Sequence, residues 1–153
     1  MFRLTRTDSK NEDFRELIDE LDEELKSRDG ADHPFYAQFN KLDNIKYVIV
    51  AYDGDIPVGC GSIKEFSKEA MELKRMYVQP AYRGKGMASR ILVELENWAV
   101  ELKFRSCVLE TGKRQPEAVA LYNKNGYQRV PNFGAYKNDE NSICFEKKLK
   151  PDE

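Results

Sequence analysis

The chain has 153 residues, enough for one domain that buries about 68–70% of its unfolded surface without disulfides or metal. Hydrophobic residues make up 41% and charged residues 34%, which argues against both a disordered chain and a membrane-embedded one. Lys and Arg total 25 against 27 Asp and Glu, so a net charge of -2 gives no global reason to expect nucleic acid as a partner.

The N-terminus carries Arg3, Arg6 and Asp8 and shows no apolar run of signal-peptide length, and charge interrupts every stretch long enough to span a bilayer. Cys60, Cys107 and Cys144 lie far apart, each inside an apolar, strand-like segment, and read as reduced, buried thiols. Together these features predict a cytoplasmic protein with no membrane partner. No repeat, low-complexity tract or linker divides the chain, so a single domain over residues 1–153 is expected.

Phe2–Thr5 reads as a short first strand. From Asp8 to Arg28 the apolar residues Phe14, Leu17, Ile18, Leu21 and Leu25 recur at helical spacing, with Asp8 or Ser9 as cap and Asp29-Gly30 as the stop. The opposite face is acidic and reads as solvated, or as an attractor of cationic molecules. Asp32-His33-Pro34 looks like the cap and first turn of a second, short helix reaching about Asn40.

Strands are predicted at Lys46–Tyr52, Ile56–Phe66 and Ala70–Val78, with a hairpin turn at Asp53-Gly54-Asp55 and a stop at Pro80. A long amphipathic helix, about Met87–Leu102, follows. Cys107–Glu110 is a short buried strand, a helix runs from Pro116 to Asn125-Gly126, and Tyr127–Val130 and Ser142–Lys147 close the chain as strands. The order predicts an α+β fold: a mixed, mostly antiparallel sheet of about six or seven strands flanked by about four helices.

The strongest local signal is Val78-Gln79-Pro80-Ala81-Tyr82-Arg83-Gly84-Lys85-Gly86-Met87-Ala88, where a strand ends and a helix opens. Gly84 and Gly86 let the backbone turn its N–H groups toward an anion such as a pyrophosphate, with the helix N-terminus behind them. From Lys74 to Arg90 there are five basic residues and no acidic one. On the glycines alone, a tight strand–helix connection with solvated lysines explains the loop equally well. A nucleotidase P-loop is excluded because Gly86, not Ser or Thr, follows Lys85. A dinucleotide fingerprint is excluded because Ser89 stands where its third glycine belongs.

Arg83-x-x-Gly86-x-Ala88 matches the Q/R-x-x-G-x-G/A signature of the GNAT acetyltransferases, with Glu72–Val78 and Val78-x-Pro80 leading in. A strand ending in Glu110, then Ala120-Leu121-Tyr122, then Asn125-Gly126-Tyr127 resembles the family's other motif. The chain, over about residues 45–149, thus resembles small, single-domain bacterial members of this family. The resemblance implies acetyl-CoA as co-substrate; separately, three scattered cysteines and one histidine have no ligand spacing, so no metal site is expected. Its pyrophosphate would rest on Arg83, Gly84, Lys85, Gly86, Met87, Ala88 and Ser89, and its pantetheine on main-chain groups of Met76, Tyr77 and Val78. A main-chain N–H there would steady the developing oxyanion. Gln115 stands where many members have a CoA-contacting Asn, and is a poor N-cap.

Acetyl transfer to an ammonium requires one proton to leave the amine and favours one reaching the departing thiolate. By periodicity alone Tyr122 is a core aromatic beside Ala118 and Val119; the resemblance makes it the general acid and a residue of the cofactor site. Two residues compete for the base. Glu72 lies where histone-type members carry theirs. Glu110, twelve residues before Tyr122, lies where ribosomal-protein N-terminal acetyltransferases carry theirs. An acid closing an apolar strand also fits simple emergence into solvent or pairing with a lysine. His33 is the single histidine and reads as a helix cap or surface residue, with the acceptor pocket as the alternative. Tyr82 is expected to pack at the loop, and Phe133 and Tyr136 to edge the acceptor site or cover the core.

The expected function is therefore acetyl-CoA-dependent N-acetylation of a primary amine, on a small molecule, a protein N-terminus or a lysine. A CoA-binding regulatory or partner module without turnover is the alternative. Dimers are common in the implied fold, so a homodimer is compatible with it.

Overall fold

The computed structural model describes residues 2–30 and 45–149. Seven strands form one sheet in the order β1-β2-β3-β4-β5-β7-β6. They are β1 (Phe2–Thr7), β2 (Tyr47–Asp53), β3 (Ile56–Glu65), β4 (Ala70–Val78), β5 (Ser106–Gly112), β6 (Gln128–Val130) and β7 (Ser142–Lys148). Among the described residues there are three α-helices, α1 (Glu12–Asp29), α2 (Met87–Glu101) and α3 (Pro116–Lys124), against about four expected. The short helix expected at Asp32–Asn40, and His33 with it, lie outside the described residues. No helix among them is long and apolar enough to cross a membrane.

The contacts divide the chain into two compact units, Met1–Lys64 with Lys74–Leu95, and Glu65–Leu73 with Glu96–Glu153. In the first, β1, β2 and β3 form an antiparallel meander, and Gly54-Asp55 make the two-residue turn between Asp53 and Ile56. Gly54 has φ 62°, which a primed hairpin turn requires. Val48, Val50 and Tyr52 alternate toward α1, where they meet Phe14, Leu17, Ile18 and Leu21. Ile49 and Ala51 are equally buried, so β2 reads as a continuous apolar run because both of its faces are covered.

β3 has the same two-sided character. Cys60 joins the α1 cluster, whereas Gly59 and Gly61 lie under α2. A Cβ at Gly61 would come within 2.9 Å of Ile91 and Leu95 and would overlap Met76. These glycines let α2 approach the sheet, and Ile91, Leu92 and Leu95 are fully buried there. Each such side chain contributes about 1.5–3 kcal/mol.

The cap of α1 differs from expectation. Asn11 is the N-cap and its side chain accepts from the Phe14 amide at 2.9 Å, while Asp8 accepts from Lys10 one turn earlier. Gly30, at φ 56°, closes the other end as predicted.

In the second unit β5 and β6 each pair antiparallel with β7, and β5 runs parallel to the start of β4 with Ala70–Glu72 opposite Ser106–Val108. α2 ends without a glycine: Lys103 takes the left-handed conformation (φ 72°) and the Phe104 amide reaches back to the Ala99 carbonyl at 3.0 Å. Below it, Glu96 is 7% exposed and accepts from the Tyr127 hydroxyl at 2.8 Å and from Lys147 at 2.9 Å. Both oxygens of this buried carboxylate are therefore satisfied.

Candidate active site

The first unit carries the loop of the expected cofactor site. β4 ends at Val78, a short 3-10 turn spans Pro80–Tyr82, and α2 opens at Met87. Gly84 and Gly86 sit at φ 80° and 79°, where a Cβ is disfavoured, and at both positions the space a Cβ would take is open. The first N–H groups of α2 have no partner within the helix, as at every helix start. The loop thus offers main-chain donors and a positive helix end with open space at both glycines, which fits a pyrophosphate.

The loop's own side chains brace it. Arg83 donates through Nε to the Val78 carbonyl at 2.8 Å and through Nη2 to Glu24 at 2.8 Å. The Tyr82 hydroxyl donates to Asp53 at 3.0 Å, its ring meets Phe2 edge-on, and Lys85 lies 5.3 Å from its centroid. Tyr82 therefore packs at the loop, as expected.

The acidic face of α1 is a correction to the solvated face that periodicity suggested. Glu20 accepts from the Tyr77 hydroxyl at 3.1 Å and from Gln79; Asp22 accepts from Arg75 at 2.6 Å; Glu24 holds Arg83. Three carboxylates thus dock on the end of β4 and its loop. Burial, with Glu20 and Glu24 nearby, pushes the Tyr77 hydroxyl up to about 12. Met76 turns the other way, toward Gly61. Arg75 has φ 59°, rare for a non-glycine in a strand, and its carbonyl accepts from the Cys60 thiol. Nothing in the sequence signals this bend.

The second unit carries the expected acid and both candidate bases. Tyr122, on α3, is 6% exposed and meets Tyr127 and Phe145 at 5.6 and 6.0 Å between ring centroids. The core reading of this residue is therefore right about its packing. Burial first, and the charge of Glu110 second, raise its hydroxyl above the ordinary tyrosine value. The proton stays on Tyr122 throughout the physiological range. Burial likewise raises the Cys60 and Cys107 thiols, to about 12.

Glu110 does not close its strand. β5 continues to Gly112, and Glu110 stands opposite Cys144 on β7. Its Oε2 accepts from the Ser142 hydroxyl at 2.7 Å. Glu72 pairs in register with Val108, two residues before Glu110 on β5. The charges of Glu72 and Glu110 both act on Cys144, whose thiol burial raises above its ordinary value. The two competing carboxylates thus belong to one neighbourhood, and Ser142 and Asp139 join it. Sequence reasoning missed both; the short Asp139–Ser142 spacing before a strand was the available signal.

Gln115 precedes α3 without a side-chain cap bond, as expected of a poor N-cap, and its amide lies 3.6 Å from where a Cβ of Gly112 would be. Phe133 meets Phe66 edge-on at 5.0 Å and Tyr136 is buried.

The profile of the Acetyltransferase (GNAT) family matches residues 11–127. An IAA acetyltransferase of Azospirillum brasilense is 34% identical over 137 residues, covering 88% of this chain and 89% of that protein. A Klebsiella pneumoniae structure assigned to the acyl-CoA N-acyltransferases superposes with a TM-score of 0.82 at 28% identity, over 98% of this chain and 99% of that one. An N-acetyltransferase from Thermoplasma acidophilum, solved with coenzyme A, shares the fold with a TM-score of 0.74 at 18% identity, over 97% and 99%. With the glycine loop at the start of α2, the mixed sheet and these relatives in agreement, the chain belongs to the GNAT acetyltransferase family and is an acyltransferase.

Proposed function

We propose that this enzyme transfers an acetyl group from acetyl-CoA to a primary amine, on a small molecule or a peptide, by direct attack on the thioester. The whole chain, residues 1–153, serves as one N-acetyltransferase domain in this reading. The observation that carries it is the pair of left-handed glycines in the loop that opens α2. A Thermoplasma protein of the same fold holding coenzyme A supports the choice of co-substrate.

Each residue has a role in this reading. The amides from Arg83 to Ser89 bind the pyrophosphate. Main-chain groups of Met76, Tyr77 and Val78 hold the pantetheine, and an N–H among them steadies the charge developing on the acyl oxygen. Glu110 takes the proton of the attacking ammonium, with Glu72 beside it in the same acidic neighbourhood. The amine nitrogen forms the new amide bond, the C–S bond breaks, Tyr122 hands its proton to the departing thiolate, and the surplus proton of the amide nitrogen returns to Tyr122.

Calorimetric titration with acetyl-CoA, with ATP and NAD as controls, tests the co-substrate. Selective binding at micromolar concentration is expected, with a rise in thermal stability of RT ln(1 + [L]/Kd). Absence of binding by folded protein removes the reading. Binding without thiol release on any amine leaves a CoA-binding module.

A further inference from the structure

The Ser142 hydroxyl stands 2.7 Å from Glu110 Oε2 and 2.7 Å from Asp139 Oδ2. Both distances are those of full O–H···O hydrogen bonds. A hydroxyl has one hydrogen and donates once. Two carboxylates on one hydroxyl therefore leave one contact without a hydrogen, unless one of the carboxyls is itself protonated and donates to the serine oxygen. Ser142 is 1% exposed, so water has little access to relieve the mismatch.

The surroundings say which carboxyl keeps the proton. Asp139 Oδ1 already accepts from the Asn141 amide at 3.0 Å, which favours its charged form. Glu110 faces Tyr122 from α3 and Cys144 from β7, and shares its neighbourhood with the charge of Glu72 from β4. A second negative charge there is disfavoured. The loop that carries Asp139 is pinned as well: Asn132 Nδ2 donates to the Asp139 and Ser142 carbonyls at 3.0 and 3.1 Å, and the Ser142 amide donates to the Asp139 main-chain carbonyl at 3.2 Å.

We propose that Asp139 is a positioning residue for Glu110: through the Ser142 hydroxyl the two carboxyls hold one proton in common, and it rests on Glu110 before substrate arrives. The chain of donors then runs from Glu110 to Ser142 to Asp139. The inference rests on the reading of Glu110 as the base. It adds that the base is protonated at rest near neutral pH and must release that proton before it can take one from the amine. A base poised close to the working pH is also the more effective one.

The test is infrared spectroscopy of the carboxyl C=O stretch in the full chain between pH 5 and 8, together with the pH profile of kcat. Wild type should show a protonated-carboxyl band at pH 7 that is absent in Glu110→Gln. In Asp139→Asn the new amide can donate to the serine oxygen and the serine to an ionised Glu110. The band should then vanish, and the acid limb of kcat should move down by about one pH unit. Ser142→Thr should keep both signatures and Ser142→Ala should lose them; this pair carries the comparison if Asp139→Asn does not fold. A wild-type spectrum without the band, or a band unchanged in Asp139→Asn and Ser142→Ala, overturns the proposal. The expected spectra without turnover on any amine would overturn the function and leave the shared proton standing. Turnover without the band would do the reverse.

Discussion

The ion pair between Asp22 and Arg75 is asymmetric, and the asymmetry sets the sign of a stability experiment. The Arg75 side chain is 2% exposed and that of Asp22 is 48% exposed. Nη2 donates to Asp22, while the buried Nε and Nη1 have no partner among the described residues. Asp22→Ala leaves a buried charge uncompensated, which typically costs about 3–5 kcal/mol. Asp22 is half in water, so its attraction is partly screened and the lower end, about 3 kcal/mol, is expected. Arg75→Met leaves behind a carboxylate that water can solvate. It also removes two unpaired donors whose burial costs on the order of 1–3 kcal/mol each. Against that stand the lost ion pair and some packing, which a flexible thioether partly restores. Both side chains meet the same penalty at φ 59°, so backbone strain cancels. The net change for Arg75→Met should fall within about 1 kcal/mol of wild type. Urea unfolding followed by Trp98 fluorescence measures both. Equal losses for the two variants, or a larger loss for Arg75→Met, would refute the reasoning.

Three further outcomes follow from the same geometry. Gly86→Ala meets open space but a left-handed backbone, so strain of about 1–2 kcal/mol should fall on the loop and weaken acetyl-CoA roughly tenfold by calorimetry. Gly54→Ala, equally open and left-handed but in the β2–β3 turn, should leave that affinity unchanged. Tyr122→Phe keeps the ring contacts and loses the proton donor, so kcat should fall by about 10²–10⁴ in a thiol-release assay while acetyl-CoA binding persists. Burial raises Cys60 and Cys107 to about 12 from an ordinary value of 9.0, so the unfolded chain releases these protons first. Stability should be fully present below pH 9 and fall as pH rises toward 12, by at most about 1.4 kcal/mol per pH unit for each thiol. Cys60→Ala should make that decline shallower in urea titrations at successive pH values.

The elements were legible because their signals are local. β4 and the start of α3 lie where alternation, Pro80 and Pro116 put them. Helix capping was misread at Asn11 because Asp8, Ser9 and Asn11 are all good caps, and only the placement of Phe14 in the core decides among them. The glycine loop was legible for the same local reason. What the sequence did not disclose is pairing at long range. The acidic stripe of α1 looks like any solvated face until β4 delivers Arg75, Tyr77 and the following Gln79 and Arg83 to it. Glu110 looked like a strand end because Thr111 and Gly112 are not apolar, yet the ladder with β7 continues through both. Ser142 and Asp139 offer only a short spacing before a strand, which does not say what they touch.

The bend at Arg75 links these long-range pairs to the chemistry. The ladder between β4 and β5 covers Ala70–Glu72, whereas β4 itself runs to Val78. Within that remaining stretch Ser62 and Cys60, on β3, donate from their side chains to the carbonyls of Lys74 and Arg75. Two main-chain acceptors of β4 thus take side-chain donors, next to a non-glycine residue held at a left-handed φ. Such strain persists only where neighbouring contacts over-determine it. The Arg75–Asp22 pair, the Tyr77–Glu20 bond and the packing of Met76 under α2 supply those contacts on three consecutive residues. The strain falls immediately before the main-chain groups of Met76, Tyr77 and Val78, which the proposed function assigns to the acyl-carrying arm of the co-substrate. Arg75→Gly separates the two contributions. Glycine accepts the backbone without strain but lacks the anchor to Asp22. If the bend alone matters, acetyl-CoA affinity should survive this variant; if the anchor matters, affinity should fall in it as in Asp22→Ala.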